Sequence, residues 1–291
     1  MKTKSIKTAF ILEAKALFGS MRAYLYIAAI ILSSLIYTVY FNIYIGYAEL
    51  TYTLRYLALP IMLASPLITA RSFAGERERD RMLISFGESN LSLLFGRLLA
   101  TCLTGLTPLL PLFLVPISLG SLGEVNLLSD YLGILSIALF CLAYVSALTL
   151  LSVCCGSKKL CYTLSYAFFI IMYLGDIIAS VLPLNALALT TVALILSAAF
   201  CAGLYRFTKN ITVTLTVFSA LTVFFCAICN FASVPAYRII KAMLGFFVPN
   251  ASLGVLLHGG IYDVISALYL IIFAALCAIL AYICLEKRET E

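Results

Sequence analysis

The stretch RSFAGERERDRMLISFG, from Arg71 to Gly87, concentrates more chemistry than any other part of the chain. Glu76 to Arg81 are six charged residues in succession. Carboxylates and guanidiniums interleaved in this way form charge-assisted hydrogen bonds, along one helix or to another protein. Other reactive types stand alone. His258 is the one histidine and falls in a loop. Asp176 sits in the apolar phrase YLGDII. Intramembrane aspartyl chemistry needs two facing carboxylates, and no other span carries a convincing second Asp. Asp176 is therefore read as a helix-end contact or, alternatively, as a group on a substrate path. Cys226 and Cys229 spell C-A-I-C, one helical turn apart, but their surroundings, LTVFFCAICNF, are apolar and point to packing rather than to redox or metal chemistry. CCGSKKL brings Gly156, Ser157 and Lys158 together without the upstream glycine of a phosphate-binding loop, and neither H-E-x-x-H nor G-x-S-x-G occurs. No catalytic residue, bound cofactor or metal ligand is expected on this chain.

The elements that must position these residues follow from composition. The chain has 291 residues, of which 64% are hydrophobic and 11% charged, where a soluble domain has about 25% charged. Its ten cysteines fall mostly inside apolar runs and behave as small hydrophobes. A helix needs about 20 apolar residues to cross the hydrocarbon core. Eight stretches qualify, at roughly 24–45, 54–70, 97–119, 131–153, 160–181, 184–205, 211–231 and 263–285. Lipid offers the backbone no hydrogen-bond partner, so each is expected to be a helix. The expected fold is all-α, a polytopic bundle of about eight transmembrane helices over residues 24–285. An interfacial helix over 1–23 would precede it, and a short tail over 286–291 would follow. In the N-terminal helix Ile6, Phe10 and Leu17 share one face, while Lys4, Lys7 and Lys15 lie near anionic lipid. Pro108, Pro111 and Pro116 fall in one span and predict an irregular or kinked helix, which either fills the bundle or flexes during transport.

Orientation follows from Lys and Arg, which favour the cytoplasmic side. With an even number of spans and the N-terminus inside, only Arg55, Arg238 and Lys241 of the 19 Lys and Arg fall outside. Both termini and the charged run are therefore expected in the cytoplasm of a multi-pass plasma-membrane protein. The run cannot lie in lipid: six central charges cost roughly 15–20 kcal/mol. Its local pattern reads as a short helix over about 72–87, with Ser72 as N-cap and Gly87 as the stop. Glu76 and Arg79, and Glu78 and Arg81, are spaced to pair along it. It is either a solvated helix held by ion pairs or a docking helix for a partner.

The phrase SPLITARSFAGERERDRML, followed by LFGRLLA, resembles the segment between the second and third spans of type-2 ABC exporter permeases, and most of all their gliding-motility-associated branch. Pro66, Arg71, Ser72, Phe73, Ala74, Glu76 and Arg77 match that family's phrase, and Gly96 with Arg97 stands for its Gly-Lys. The segment LLHGGIYDVISALYLIIFAALCAILAYICLEKRE is similar to the family's last span at Gly260, Ile261, Asp263, Tyr269, Glu286, Lys287 and Arg288. YRFTKNITV resembles the longer, eight-span members. The family's Ser-Pro turn is replaced here by Gly87-Glu88-Ser89-Asn90. The resemblance implies a transport subunit that does not itself hydrolyse ATP. A separate cytoplasmic ATPase would carry ATP and magnesium, and a second permease chain, the same or related, would complete the pathway. The helix over 72–87 would be the coupling helix. Glu76, Arg77, Glu78, Arg79 and Arg81 would contact the ATPase, and Phe73 and Met82 would seat the helix. The alternative is an ion-coupled carrier or channel without an ATPase, in which Asp176 carries the coupling.

Overall fold

The computed structural model describes residues 2–47, 49–70, 73–74, 89–120, 126–181, 185–208, 210–231 and 264–290. Among them the chain is helical and has no strand. Helix α1 spans Lys2–Phe18 and α2 spans Met21–Tyr37, which continues as a π-helical turn over Thr38–Tyr44. Next come α3 (Thr51–Ala64) and the short α4 (Pro66–Thr69). Helix α5 (Asn90–Leu106) passes through a 3-10 stretch, Thr107–Leu114, into α6 (Val115–Gly120). Helices α7 (Leu127–Cys154), α8 (Lys158–Val181), α9 (Ala186–Thr208), α10 (Ile211–Phe231) and α11 (Val264–Thr290) complete the order.

Five helices begin at a polar side chain that caps them. Ser20, Ser89 and Asn126 accept the N–H of Ala23, Ser92 and Ser129 at the starts of α2, α5 and α7. Ser157 and Asn210 do the same for Leu160 on α8 and Thr212 on α10. Polar side chains within the helices are mostly satisfied locally. Thr101, Thr104, Ser146, Thr149 and Ser197 each donate to the carbonyl four residues back, so few polar atoms face the surroundings.

Among the described residues five helical stretches are long and apolar enough to cross a membrane: Met21–Tyr44, Asn90–Gly120, Leu127–Cys154, Ile211–Asn230 and Ser266–Lys287. Their outward faces carry Leu32, Ile36, Val223, Ile272 and Ile279, all exposed, as a lipid-facing surface requires. The protein is helical and membrane-embedded. Helices occupy the other three apolar stretches of the sequence as well. In the second of the eight stretches, α3 ends after 14 residues, about 21 Å of rise, because Pro66 has no N–H to continue the ladder.

The chain divides into two compact units, Met1–Ile171 with Pro249–Glu291, and Met172–Val248. In the first, α7 is central: 67% of its apolar window is buried, against at most 39% for any other long apolar helix. Helix α11 packs along α7, α1 packs along α5, and α2 packs on α3 and on the 3-10 stretch. In the second unit, α9 and α10 form a hairpin around Leu189, Ala193, Phe225 and Cys229. Cys229 thus lies in a hydrophobic core, as the packing reading of C-A-I-C expects, and all ten cysteines are free thiols.

The irregularity expected from the prolines is located at Thr107–Leu114, where Pro108 and Pro111 turn the α-helix into a 3-10 helix. Just before this stretch, the Gly105 carbonyl accepts from the Tyr26 hydroxyl at 3.0 Å and from the Cys141 thiol at 3.6 Å. Tyr26 is fully buried. This node ties α2, α5 and α7 together in mid-bundle.

Candidate functional site

The charged run follows α4 in the chain, and the two described residues that precede it, Phe73 and Ala74, define the site. The Phe73 and Ala74 N–H groups both donate to Ser152 Oγ, at 3.2 and 3.1 Å. Ser152 lies in the last turns of α7 and is fully buried. A single hydroxyl oxygen with two lone pairs therefore fixes two successive peptide groups to the central helix. The Phe73 ring is buried among Leu93 and Leu94 of α5, Val153 of α7, and Ala281 and Leu285 of α11. On the neighbouring side Ala70 and Ala74 pack with Cys155 and Cys161, where α7 ends and α8 begins. The root of the segment is held by four helices.

Above the Phe73 ring stands Arg97, its guanidinium carbon 4.8 Å from the ring centroid. Arg97 Nε lies 3.7 Å from Glu13 Oε2, and both side chains are 2% exposed. Glu13 belongs to α1, whose Ala9, Glu13 and Leu17 form a buried row at four-residue spacing. The approach of α1 to α5 depends on Gly96: a Cβ there would lie 2.6 Å from the Ala9 Cβ and 2.9 Å from the Phe10 nitrogen. Gly96 brings the helices together and Arg97, one residue on, pairs with the acid this closeness delivers. The chain α1–Glu13–Arg97–Phe73–Ser152–α7 is thus a continuous, water-poor connection ending at the charged run.

Two expectations change here. The sequence reading starts the third span at 97 and counts Arg97 among the cytoplasmic charges. Helix α5 instead begins at Asn90, capped by Ser89, and Arg97 lies two turns inside it, its charge balanced by Glu13. The inward face of α1 is not Ile6, Phe10 and Leu17 but Ala9, Glu13 and Leu17. Only a row containing a small residue and a counter-ion can meet Gly96 and Arg97; Ile6 and Phe10 are left half-buried at its flank.

Of the predicted site residues, Phe73 lies buried in a hydrophobic cluster. Glu76, Arg77, Glu78, Arg79, Arg81 and Met82 lie outside the described residues, as does most of the helix expected over 72–87. Asp176 falls in α8, with its side chain outside the described set, and His258 also lies outside it. Glu13, Gly96 as a contact, Arg97 as a buried cation and Ser152 are absent from the sequence-derived site. One signal for Glu13 was present: a lone acid at four-residue spacing from Ala9 and Leu17, in a helix otherwise basic.

The far ends of α3 and α7 carry a second polar node. Asp130, in the first turn of α7, is 2% exposed, and its Oδ1 accepts the Leu50 N–H at 2.9 Å. Its Oδ2 is buried and makes no hydrogen bond among the described residues. Asn42 donates from Nδ2 to the carbonyls of Tyr47 and Glu49, at 2.8 and 3.0 Å, and accepts from Thr53 Oγ1 at 2.8 Å. Around it Tyr37, Phe41, Tyr47, Tyr52 and Tyr56 stack, an aromatic girdle of the kind that sits at a membrane interface. The sequence reading has no buried carboxylate here because it starts this span at 131, one residue too late; the Asn126 cap draws the helix four residues further back.

Compared with protein-family models, with curated proteins and with solved structures, the chain matches none.

Proposed function

We propose that this chain is the membrane subunit of an ATP-driven exporter of the type-2 ABC kind. It crosses the plasma membrane eight times with both termini in the cytoplasm, and docks a separate ATPase through the charged run. The observation that carries the reading is the root of that run. A freely solvated loop helix has no need of a fixed foundation, yet Phe73 and Ala74 are bonded to α7 and packed on α5, α8 and α11. A force applied to the run from the water side is delivered directly to those helices. The lopsided distribution of Lys and Arg supports the cytoplasmic placement. In this reading Glu76, Arg77, Glu78, Arg79 and Arg81 contact the ATPase, and Phe73 and Met82 seat the segment. Arg97, Glu13 and Ser152 position it. ATP and magnesium are bound by the partner, this chain does no chemistry of its own, and a second permease chain completes the pathway.

The test is co-purification. The double reversal Glu76→Arg with Arg77→Glu is expected to release the ATPase while the membrane protein keeps its elution profile and melting temperature. Retention of the ATPase at wild-type strength rejects the docking assignment.

One observation favours a second reading, an ion-coupled carrier: the buried Asp130, with one oxygen bonded to Leu50 and the other without a hydrogen bond. In that case Asp130→Asn, or Asp176→Asn, abolishes uptake driven by an ion gradient into vesicles containing this chain alone. Uptake by this chain alone that is unaffected when every ion gradient is collapsed rejects it.

A further inference from the structure

A cationic cluster at the same end of the bundle as the charged run is not used by either reading. Arg22, in the first turn of α2, donates from Nη1 to the Tyr162 hydroxyl at 3.0 Å, and its guanidinium carbon lies 5.8 Å from the Tyr162 ring centroid. Tyr162 is in the first turns of α8. Lys158 and Lys159 precede it by four and three residues, the spacing that places side chains side by side on a helix. Three cationic residues therefore stand on the two helix ends that meet at Tyr162, Arg22 in contact with its ring and the two lysines one turn before it on α8. Arg22 spends its hydrogen bond on a neutral hydroxyl, so that contact leaves its charge uncompensated.

One turn further along each helix the surface becomes apolar. Leu25, three residues after Arg22, is 51% exposed, and Tyr166, four residues after Tyr162, is 38% exposed. The order of chemistry along the helix axes is cationic at the end and apolar towards the middle. An anionic phospholipid has that order, with its phosphate at the surface and its acyl chains below. A soluble anion would need no apolar strip, and a neutral lipid would need no group of three cations.

We propose that Arg22, Lys158 and Lys159, organised around Tyr162, form a binding site for the headgroup of an anionic phospholipid whose acyl chains lie along Leu25 and Tyr166. The site requires only that the protein is membrane-embedded and stands whether or not the exporter reading does. It also borders the root of the charged run, because Cys161, the neighbour of Tyr162, packs against Ala70 and Ala74.

The experiment measures lipid retention. Purified full-length protein is exchanged into neutral detergent, titrated with phosphatidylglycerol or with phosphatidylcholine of the same acyl chains, and bound lipid is counted by native mass spectrometry. Wild type is expected to hold phosphatidylglycerol in preference to phosphatidylcholine. The triple variant Arg22→Gln, Lys158→Gln, Lys159→Gln is expected to lose roughly fivefold in affinity per cation, on the order of a hundredfold in all. Tyr162→Phe, which keeps every charge but frees Arg22, is expected to show a smaller loss. A control that removes the same charge elsewhere, Lys209→Gln, Lys241→Gln, Arg288→Gln, should retain wild-type affinity. Inorganic phosphate at millimolar concentration should not displace the lipid. Equal binding of the two lipids by wild type, wild-type affinity in the triple variant, an equal loss in the control, or displacement by phosphate each overturns the assignment.

Discussion

Arg97 is a permanent cation in a place water does not reach, and its neighbours explain how it is tolerated. Glu13 balances the charge and the Phe73 ring presents its negative face to the guanidinium. Such a pair contributes little net stability over an apolar replacement, but breaking it is expensive, because the survivor is a buried lone charge. Arg97→Ala should therefore destabilise the protein by about 3–5 kcal/mol, and the double variant Arg97→Ala, Glu13→Ala should recover a large part of that loss. Melting temperatures of the three variants in detergent decide the matter; additive losses would show that the two side chains do not act as a pair. Ser152→Ala removes the oxygen that receives two N–H groups at the root of the run. Each buried donor left without a partner costs about 1–3 kcal/mol, so the root should open locally. Limited proteolysis within the charged run is expected to accelerate in Ser152→Ala while the melting temperature changes less than in Arg97→Ala. These positions were opaque in the sequence for one reason. An Arg seven residues inside an apolar helix and an acid in a basic one look like boundary charges until the two helices are known to touch.

At the scale of elements, what the sequence made legible was the periodic and the chemical. Apolar runs located the helices to within a few residues, and prolines located the irregular span, because lipid and the missing proline N–H each act on neighbouring residues alone. The starts of α5 and α7 were missed because they are set by the caps Ser89 and Asn126 rather than by hydrophobicity. The π-helical end of α2 was missed because it is stabilised at a distance, by Asn42 bonding the carbonyls of Tyr47 and Glu49. The contact of α1 with α5 was equally hidden, although it turns on one residue. Gly96 is where α1 comes closest, and a side chain there meets backbone as well as the Ala9 side chain. Gly96→Val should push α1 away from α5, part Glu13 from Arg97 and cost about 1–3 kcal/mol or more through overpacking. The observable is a disulfide crosslink between cysteines introduced at a facing pair on α1 and α5 in a cysteine-free background. A crosslink that forms in wild type should be lost in Gly96→Val; an undiminished one would mean that α1 accommodates the side chain by sliding.

For the whole molecule, the polar nodes are stacked along the same helices. Helix α7 carries Asp130 at one end, Cys141 in the middle and Ser152 at the other, and each makes a contact to a different part of the chain: Leu50, Gly105 and Phe73. An assembly organised in this way has two distinguishable ends, one bearing the Asn42 and Asp130 network with its tyrosines, the other bearing Arg22, Tyr162 and the Phe73–Ser152 contact. In the proposed reading the second end lies towards the cytoplasm. Cysteine accessibility tests that orientation directly. In a cysteine-free background, Glu49→Cys, in the turn between α2 and α3, should react with a membrane-impermeant maleimide in intact cells. Ser157→Cys, in the turn between α7 and α8, should react only after the membrane is opened. The two residues sit at opposite ends of helices α3 and α7, which Asp130 and Leu50 join at one end and Ser152 and Phe73 at the other, so their labels must be opposite in any orientation. If Ser157→Cys labels in intact cells and Glu49→Cys does not, the charged run faces away from the cytoplasm. No cytoplasmic ATPase could then reach it, and the exporter reading falls with the orientation, while the contacts of Phe73, Arg97 and Ser152 stand unchanged.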